Sequence, residues 1–177
     1  MAEGEAAVDT KAVWDALAEV SDPEIPSVSV VDLGMVRSVE ADERRLRVEL
    51  LPTFVGCPAL DLIRRAVAER LAGMAPEVEV TATFAEPWTS DRITPEGRRK
   101  LRQSGFAPPA AGHPRMGDPP GQADQPLFAT IAARPAATCP YCGSPDTSLE
   151  NPFGPTLCRA IFYCNRCRQP FEQFKAV

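Results

Sequence analysis

The stretch 46-LRVELLPTFVGCPALDLIRRAVAERLAGMAPEVEVTATF-84 contains three successive structural patterns. Residues 46–53 form a β-type run, and residues 77–84 alternate polar and apolar side chains, as a half-buried strand does. Between them, residues 59–73 repeat apolar side chains at helical spacing, and Gly73 is available to end the helix. The stretch therefore predicts a strand, a helix and a second strand.

Two further elements are predicted before this stretch. Residues 33–40 form another β-type run, and the short charged turn after it suggests an antiparallel hairpin with the strand 46–53. A helix is predicted over residues 10–20, with Asp9 or Thr10 as its cap. Its apolar face would consist of Val13, Trp14, Leu17 and Val20. The order α-β-β-α-β predicts a small α+β domain with helices packed on one face of the sheet.

The chain after residue 92 changes in composition. Residues 93–106 predict a short basic helix with Pro95 in its first turn, whose cations form either a docking patch or, as we favour, a solvated helix face. Residues 107–126 are dominated by Pro, Gly and Ala, which cannot bury a core, and they contain the only histidine, His113. The predicted segments are an α+β domain over 1–106, a Pro-rich linker over 107–136 and a cysteine-rich segment over 137–177.

Charge is distributed unevenly along the 177 residues, whose formal net charge is -5 at pH 7. Residues 1–90 carry 8 Lys and Arg against 17 Asp and Glu, whereas residues 91–177 carry 11 against 7. The acidic front half argues against nucleic acid as the main partner, because phosphate binding needs a basic footprint. No window approaches the roughly 18 apolar residues that a membrane span needs, so we expect a cytoplasmic protein without membrane contact.

Five of the six cysteines lie in the last 39 residues. Cytosolic thiols are kept reduced, which favours metal ligands or working thiols over disulfides. Two CxxC pairs separated by 21 residues have nearly the spacing of four-thiolate zinc sites. Residues 137–177 are therefore predicted to form a zinc ribbon, with Cys139, Cys142, Cys164 and Cys167 as the zinc ligands. An iron–sulfur cluster or a redox-active pair is the alternative, but so short a segment needs a structural metal to fold, which favours zinc.

Two features of this segment remain open. Cys158 could replace one member of a CxxC pair as ligand, although two complete pairs favour a buried apolar role for it. The segment carries four Lys and Arg against three Asp and Glu, which is too weak a bias for DNA binding. Its candidates for an exposed surface that docks a protein are Phe153, Phe162, Tyr163, Phe171 and Phe174.

Cys57 lies where a β-type run turns into a helix. We predict that it caps this helix with Pro58 at the first helical position, where N–H groups and the helix dipole favour a thiolate. The only histidine lies in the linker, so a Cys–His nucleophile is not expected. The acidic residues that could join Cys57 in a metal site are Asp22, Glu24, Asp32, Glu86 and Asp91. A cysteine packed in a turn is the alternative.

Three stretches carry a resemblance to a known family. The stretch 22-DPEIPSVSVVDLGMVRSV-39, followed by GCP at 56–58, resembles the iron–sulfur assembly domain of SufT-like proteins and cytosolic cluster-targeting factors. With 84-FAEPWTSDRITPEGRRKLRQSGFAPP-109 and the cysteine-rich 139–175, the chain resembles the D subunits of bacterial phenylacetyl-CoA epoxidase systems. The resemblance covers nearly the whole chain except the linker.

The resemblance implies a non-enzymatic accessory protein of aerobic phenylacetate degradation. It would act in maturation or assembly of an iron-containing epoxidase complex, by delivering an iron–sulfur cluster to the reductase. Its partners would be the oxygenase and reductase subunits, and the alternative is a structural tether between them. The residues it implies for transient iron or cluster handling are Asp22, Glu24, Asp32 and Cys57, while the two CxxC pairs would hold structural zinc. Whether the chain forms a homodimer is left open.

Overall fold

The computed structural model describes residues 8–109 and 137–175. The chain forms two compact units that divide between Lys100 and Leu101. Most of the predicted linker, including His113, lies outside the described residues, and the predicted bounds of the three segments stay predictions. None of the helices in these two ranges has the length and apolar character that crossing a bilayer requires.

The first unit contains a three-stranded sheet with the order β1-β2-β3. Its strands are β1 (Val36–Ala41), β2 (Arg45–Leu50) and β3 (Glu77–Ala82). β1 and β2 form the predicted antiparallel hairpin, and the Asp42 carboxylate holds its turn by accepting hydrogen bonds from the amides of Arg44 at 2.8 Å and Arg45 at 2.7 Å. β3 pairs in parallel with β2, which requires a crossover, and helix α2 (Leu60–Leu71) supplies it.

The two faces of this sheet differ in character. Leu46 and Leu50 of β2 are fully buried on one face, which contributes about 1.5–3 kcal/mol per side chain relative to exposure. On the other face, Arg47 of β2 pairs with Glu79 of β3 at 3.0 Å. Because successive side chains of a strand point to opposite faces, the apolar side chains lie on one face, and only that face offers apolar surface for helices to cover. The α+β architecture is as predicted.

Helix α1 (Thr10–Leu17) begins at the predicted cap, where Asp9 Oδ1 accepts a hydrogen bond from a first-turn amide at 2.9 Å. Val13 and Leu17 are buried as predicted, but Trp14 is 37% exposed, so its placement on the buried face is wrong. Trp14 follows Val13 by about 100° around the helix axis, which moves it to the margin of the buried stripe.

Helix α2 presents the predicted apolar stripe. Ile63, Val67 and Leu71 are buried, whereas Leu60 at the start of the helix is only half-buried. Gly73 follows the helix with φ +86°, a left-handed conformation that glycine adopts without steric cost, so the helix ends where the sequence predicts.

Helix α3 (Pro95–Gln103) is shorter than the predicted 93–106. Gly105 has φ +83° and turns the chain into the short strand β4 (Phe106–Ala107). β4 pairs with the last strand of the second unit, so Phe106 belongs to the second sheet although the predicted first domain includes it.

Two of the four basic side chains of α3 contact other parts of the first unit. Arg98 donates to the carbonyl oxygen of Ser90 at 2.6 Å, and Lys100 Nζ lies 2.6 Å from Asp32 Oδ2. Arg99 and Arg102 are exposed, and Arg99 pairs on the surface with a glutamate one turn earlier. The solvated face that we favoured is therefore present at Arg99 and Arg102, whereas Arg98 and Lys100 hold local structure in place.

The second unit contains a four-stranded sheet with the order β4-β7-β6-β5. Its longer strands are β5 (Thr147–Asn151), β6 (Arg159–Cys164) and β7 (Pro170–Phe174). β6 runs antiparallel to both of its neighbours, and β4 runs parallel to β7. Phe162 and Phe171 stack in the centre, with ring centroids 5.8 Å apart.

Three of the five aromatic residues predicted to be exposed are buried, namely Phe162, Phe171 and Phe174. A sheet this small has few apolar residues, and aromatic side chains bury the largest area per residue, so they form the core. Tyr163 is half-buried, and Phe153 is 63% exposed. The predicted aromatic docking surface is therefore wrong except for Phe153.

Candidate functional site

Three loops of the first unit meet at one edge of its sheet. The loops after β2 and after β3 lie at this edge because the two strands are parallel and end together. The loop before β1 reaches the same edge because β1 is antiparallel to β2 and therefore begins there. Backbone hydrogen bonds join Leu51 N to Met35 O at 2.7 Å and Thr83 N to Leu50 O at 2.9 Å. We call this region the loop edge; it comprises residues 18–35, 51–59 and 83–94.

Side chains of the loop after β3 fix the loop before β1, which is the first loop along the chain, in place. The indole N–H of Trp88 donates to Leu33 O at 2.9 Å, and Arg92 Nε donates to Gly34 O at 2.9 Å. Gly34 has φ +63°, and a Cβ at this position would lie 2.2 Å from the carbonyl oxygen of Arg92. Only glycine allows the backbones of the two loops to approach this closely.

Asp32 is the buried carboxylate of the loop edge, with 7% of its surface exposed. Its Oδ2 accepts hydrogen bonds from Ser29 N at 2.9 Å, Ser29 Oγ at 3.0 Å and Lys100 Nζ at 2.6 Å. Burial by itself raises the pKa of this carboxyl, but the donors from Lys100 and Ser29 together outweigh burial and hold the pKa below its usual value. Asp32 is therefore ionised at neutral pH and serves as an anchor for Lys100.

Asp22 shapes the DPEI turn. Its Oδ1 accepts hydrogen bonds from the amides of Glu24 at 2.8 Å and Ile25 at 2.9 Å, as an Asx turn requires. Asp22 N donates in turn to Val28 O at 2.8 Å. Asp22 and Glu24 are both half-buried, so each keeps part of its surface accessible.

Cys57 does not occupy the predicted cap position. Helix α2 begins at Leu60 with Ala59 as its N-cap residue, so the prediction of Cys57 as the cap and Pro58 as the first helical residue is wrong. Instead, Cys57 lies in a turn, where its amide donates to Phe54 O at 3.1 Å and its carbonyl accepts from Leu60 N at 3.3 Å. The helix starts later than the sequence suggests because these turns occupy the residues around Pro58. The Cys57 side chain is partly exposed.

The structure brings Asp22, Glu24, Asp32 and Cys57 to the same edge, but it does not assemble them as a metal site. Across residues 8–109 and 137–175, the only group of three or more His, Cys, Asp or Glu side chains that could hold a metal ion is the set of C-terminal cysteines. Asp32 is occupied by Lys100, and Asp22 by its own turn. Cluster handling by these four residues stays a prediction.

The two CxxC pairs of the second unit converge on one point. The four sulfur atoms lie within 4.8 Å of one another, with Cys139 Sγ and Cys167 Sγ 3.6 Å apart and Cys142 Sγ and Cys164 Sγ also 3.6 Å apart. Zn–S bonds of about 2.3 Å in a tetrahedron place the sulfurs about 3.8 Å apart. The geometry of the four thiols therefore fits a tetrahedral metal ion.

Each CxxC pair lies in a tight turn, called a knuckle, and the two knuckles are formed in the same way. Gly143 N donates to Cys139 O at 2.9 Å, and Arg168 N donates to Cys164 O at 2.8 Å. Both donors have positive φ, +70° at Gly143 and +58° at Arg168. Each turn thereby directs both sulfurs of its pair to the same side.

Two of these thiols differ in acidity. The amide of Cys167 donates to Cys164 Sγ at 3.5 Å, and amide donors of this kind lower the pKa of Cys164 to about 7. Burial, together with bonds to the neighbouring sulfurs, raises the pKa of Cys167 to about 12. Cys164 is thus the more acidic of these two thiols, and a bound cation would displace the protons of its ligands.

Cys158 lies outside the group of four. Its Sγ contacts Thr156 Oγ1 at 3.1 Å, and its carbonyl accepts from Lys175 N at 2.9 Å. Cys158 is half-buried, which is more exposed than the predicted apolar role in the core implies. The structure therefore gives no support to Cys158 as a replacement ligand.

Sequence reasoning missed the residues that hold the loop edge together. Trp88, Arg92 and Lys100 contact backbone or side chains that precede them by 55, 58 and 68 positions. No periodicity or short motif reports contacts over such separations. Ser29 could have been found, because it lies three residues before Asp32 at the spacing of local side-chain turns.

Comparison with known families assigns both units. Residues 10–83 match the family described as iron–sulfur cluster assembly protein, and residues 123–175 match the PaaD zinc beta ribbon domain. The fold and the four-cysteine site therefore define a protein in which an iron–sulfur assembly domain precedes a zinc ribbon.

One curated relative matches almost the entire chain. It is the D subunit of the putative 1,2-phenylacetyl-CoA epoxidase of Escherichia coli, 36% identical over 167 residues that cover 93% of this chain and 92% of the relative. The chain belongs to this family of epoxidase D subunits, as its sequence motifs predict.

Solved structures resemble about half of the chain. A domain of unknown function from Bacillus anthracis is 29% identical, with a TM-score of 0.49, and covers 51% of this chain and 89% of its own. A conserved hypothetical protein from Thermotoga maritima is 33% identical, with a TM-score of 0.47, and covers 53% and 94%.

Proposed function

We propose that this chain is an accessory protein of a phenylacetyl-CoA epoxidase system and delivers an iron–sulfur cluster to the reductase of that system. The name of its relative and the iron–sulfur assembly match over residues 10–83 support this role. The chain does not carry out the epoxidation, and its partners are the oxygenase and reductase subunits. The loop edge carries the proposal, because the partly exposed thiol of Cys57 and the half-buried carboxylates of Asp22 and Glu24 lie at the same edge.

The loop edge suits transient handling better than permanent storage. Cys57 supplies one thiolate, whereas a cluster needs about four ligands, so a cluster on Cys57 is held weakly. In transfer, an iron–sulfur bond to Cys57 breaks while a bond from iron to a client thiolate forms, and the proton of the client thiol passes to Cys57. No electron is gained or lost. Glu24, and the Asp22 oxygen that is not engaged in the turn, are the carboxylates of this edge that we propose hold iron during the exchange.

The metal of the ribbon is proposed to be zinc with a structural role. The sulfur separations of 3.6 Å fit the tetrahedron that zinc prefers. A small sheet of this kind has little core, so metal binding and folding are coupled. Zinc bound by Cys139, Cys142, Cys164 and Cys167 would cross-link the two knuckles.

The Cys57→Ser variant tests the delivery role. We expect it to fold normally, because Cys57 lies in an exposed turn, but to lower cluster occupancy in the co-expressed reductase. Occupancy is measured from iron and sulfide content and from the visible absorbance of the purified reductase. Cys158→Ser, another partly exposed cysteine, is the matched control and should leave occupancy unchanged. Full occupancy with Cys57→Ser would reject the delivery role of this thiol.

A structural tether is the second candidate, and the exposed Phe153 of the ribbon favours it. In that case Cys57→Ala would be silent, whereas deletion of residues 139–177 would abolish assembly of oxygenase with reductase. The two candidates therefore differ in which variant has a phenotype.

A further inference from the structure

Three large apolar side chains are exposed at the sheet edge that carries Cys57. Val55 is 82% exposed, Phe84 is 59% exposed and Leu62 is 49% exposed. Val55 lies in the loop after β2, Phe84 in the loop after β3, and Leu62 in the first turn of α2. We call these three residues the apolar rim. Exposed apolar groups of this size that converge on one edge mark a surface that contacts another molecule.

The convergence of the rim follows from the topology. β2 and β3 are parallel, with Leu50 paired to Ala82, so the loops after them leave the sheet side by side. α2 connects the end of β2 to the start of β3 and therefore begins at the same edge. Cys57 lies between Val55 and the start of α2. A molecule that covers the rim therefore lies at the same edge of the sheet as Cys57.

The charge of the surrounding segments is of one sign. Residues 20–35, 51–62 and 83–91 contain no Lys or Arg, whereas they contain six carboxylates. These are Asp22, Glu24, Asp32, Asp61, Glu86 and Asp91. Cations from outside these segments pair with three of the six: Lys100 with Asp32, Arg64 with Asp61, and both Arg37 and Arg92 with Glu86. The surface at this edge is therefore apolar, and it carries more carboxylates than cations.

We propose that the apolar rim docks a polypeptide segment of the client whose apolar side chains are flanked by Lys or Arg. The proposal rests on the proposed delivery role and specifies the partner of that site. Complementary charge steers such a segment to the surface and fixes its orientation, while burial of the rim holds it there. The docked segment presents a client thiol to Cys57.

A second copy of the chain is a poorer occupant of this surface. Self-association across a symmetric interface would place the same anionic segments against each other, and like charges in contact oppose association. The rim therefore selects a basic partner over another copy of itself.

The test uses the purified zinc-loaded full chain and the purified reductase and oxygenase subunits, with binding measured by biolayer interferometry. The rim variant is Val55→Ser/Phe84→Ser, and the matched control is Trp14→Ser, which removes an exposed apolar side chain from α1 instead. We expect the rim variant to bind the reductase at least about tenfold more weakly, and the control to bind within about twofold of wild type. Because the rim is exposed, circular dichroism should show unchanged folding.

Charge and chemistry are tested separately. Asp61→Lys should slow association, and raising the salt concentration should slow association of the wild type in the same way. Cys57→Ser should bind the reductase normally yet fail to load it.

Wild-type affinity in the rim variant would overturn the docking proposal and leave delivery intact. Loss of binding in Phe153→Ser alone would move docking to the ribbon and also overturn it. Failure of the wild-type chain to bind either the reductase or the oxygenase would reject both proposals.

Discussion

The ion pair between Asp32 and Lys100 determines how firmly the first loop is held, and Lys100→Met tests this. Methionine keeps a side chain of similar length but removes the cation. The buried Asp32 carboxylate then retains the hydrogen bonds from the amide and hydroxyl of Ser29. The variant therefore measures how much the charge contributes.

The expected cost lies between two known limits. Removal of one partner from a fully buried ion pair costs about 3–5 kcal/mol, whereas exposed pairs contribute about 0–1 kcal/mol. The side chain of Asp32 is 9% exposed and that of Lys100 is 30% exposed, so solvent screens part of the interaction. We expect a loss of about 2 kcal/mol in the free energy of unfolding, or a fall of about 10 °C in the transition of the first unit.

The size of the effect should depend on pH. The pKa of Asp32 is lower in the folded state than the value of about 3.9 in the unfolded chain. Such a carboxyl stabilises the fold above its unfolded pKa and loses this contribution as the pH falls through the folded pKa. The difference between wild type and Lys100→Met should be complete at pH 7 and should shrink below about pH 4.

Urea unfolding followed by tryptophan fluorescence is the assay, because Trp14 and Trp88 are the only tryptophans and both lie in the first unit. In an Asp32→Asn background the cation has no charged partner, so Lys100→Met should cost less than about 0.5 kcal/mol. An equal cost in both backgrounds, or a cost that persists unchanged at pH 3, would refute the ion-pair argument.

Two further predictions concern the loop contact and the ribbon. Gly34→Ala should destabilise the first unit by about 3 kcal/mol or more, because it combines a left-handed φ with a Cβ clash against Arg92. The control Gly73→Ala has φ +86° but nothing within 4 Å of the added Cβ, so it should cost about 1 kcal/mol. Similar costs for the two variants in urea unfolding would contradict the clash. Metal analysis should give about one zinc per chain. Removal of the metal with a chelator should make the ribbon sensitive to protease and leave tryptophan fluorescence unchanged. Stoichiometric iron, or a metal-free ribbon that resists protease, would contradict a structural zinc.

Local patterns in the sequence predict most of the first unit. The strands, the hairpin and α2 follow from alternation and helical spacing over a few residues, and the CxxC spacing predicts which four sulfurs converge. These features depend on neighbours along the chain, so a single sequence contains them.

The errors arise where tertiary packing decides between local alternatives. Phe162 and Phe171 fit an exposed strand face as well as a buried one, and only the lack of other core residues in the ribbon buries them. A Cys-Pro pair fits the first turn of a helix, yet turns around Pro58 delay the helix to Leu60. The partner of Asp32 could not be predicted, because Lys100 is 68 positions away.

The anchoring of Asp32 by α3 bears on how the nascent chain folds. Asp32 receives the amide of Thr94 at its carbonyl oxygen, 2.9 Å away, and the ammonium group of Lys100 at its carboxylate. A chain that has been synthesised only to residue 83 can pair its three strands but lacks both contacts. The first loop thus reaches its final conformation only after α3 has emerged from the ribosome. A recombinant fragment that stops with the iron–sulfur assembly match would retain the sheet and leave Asp32 poorly positioned.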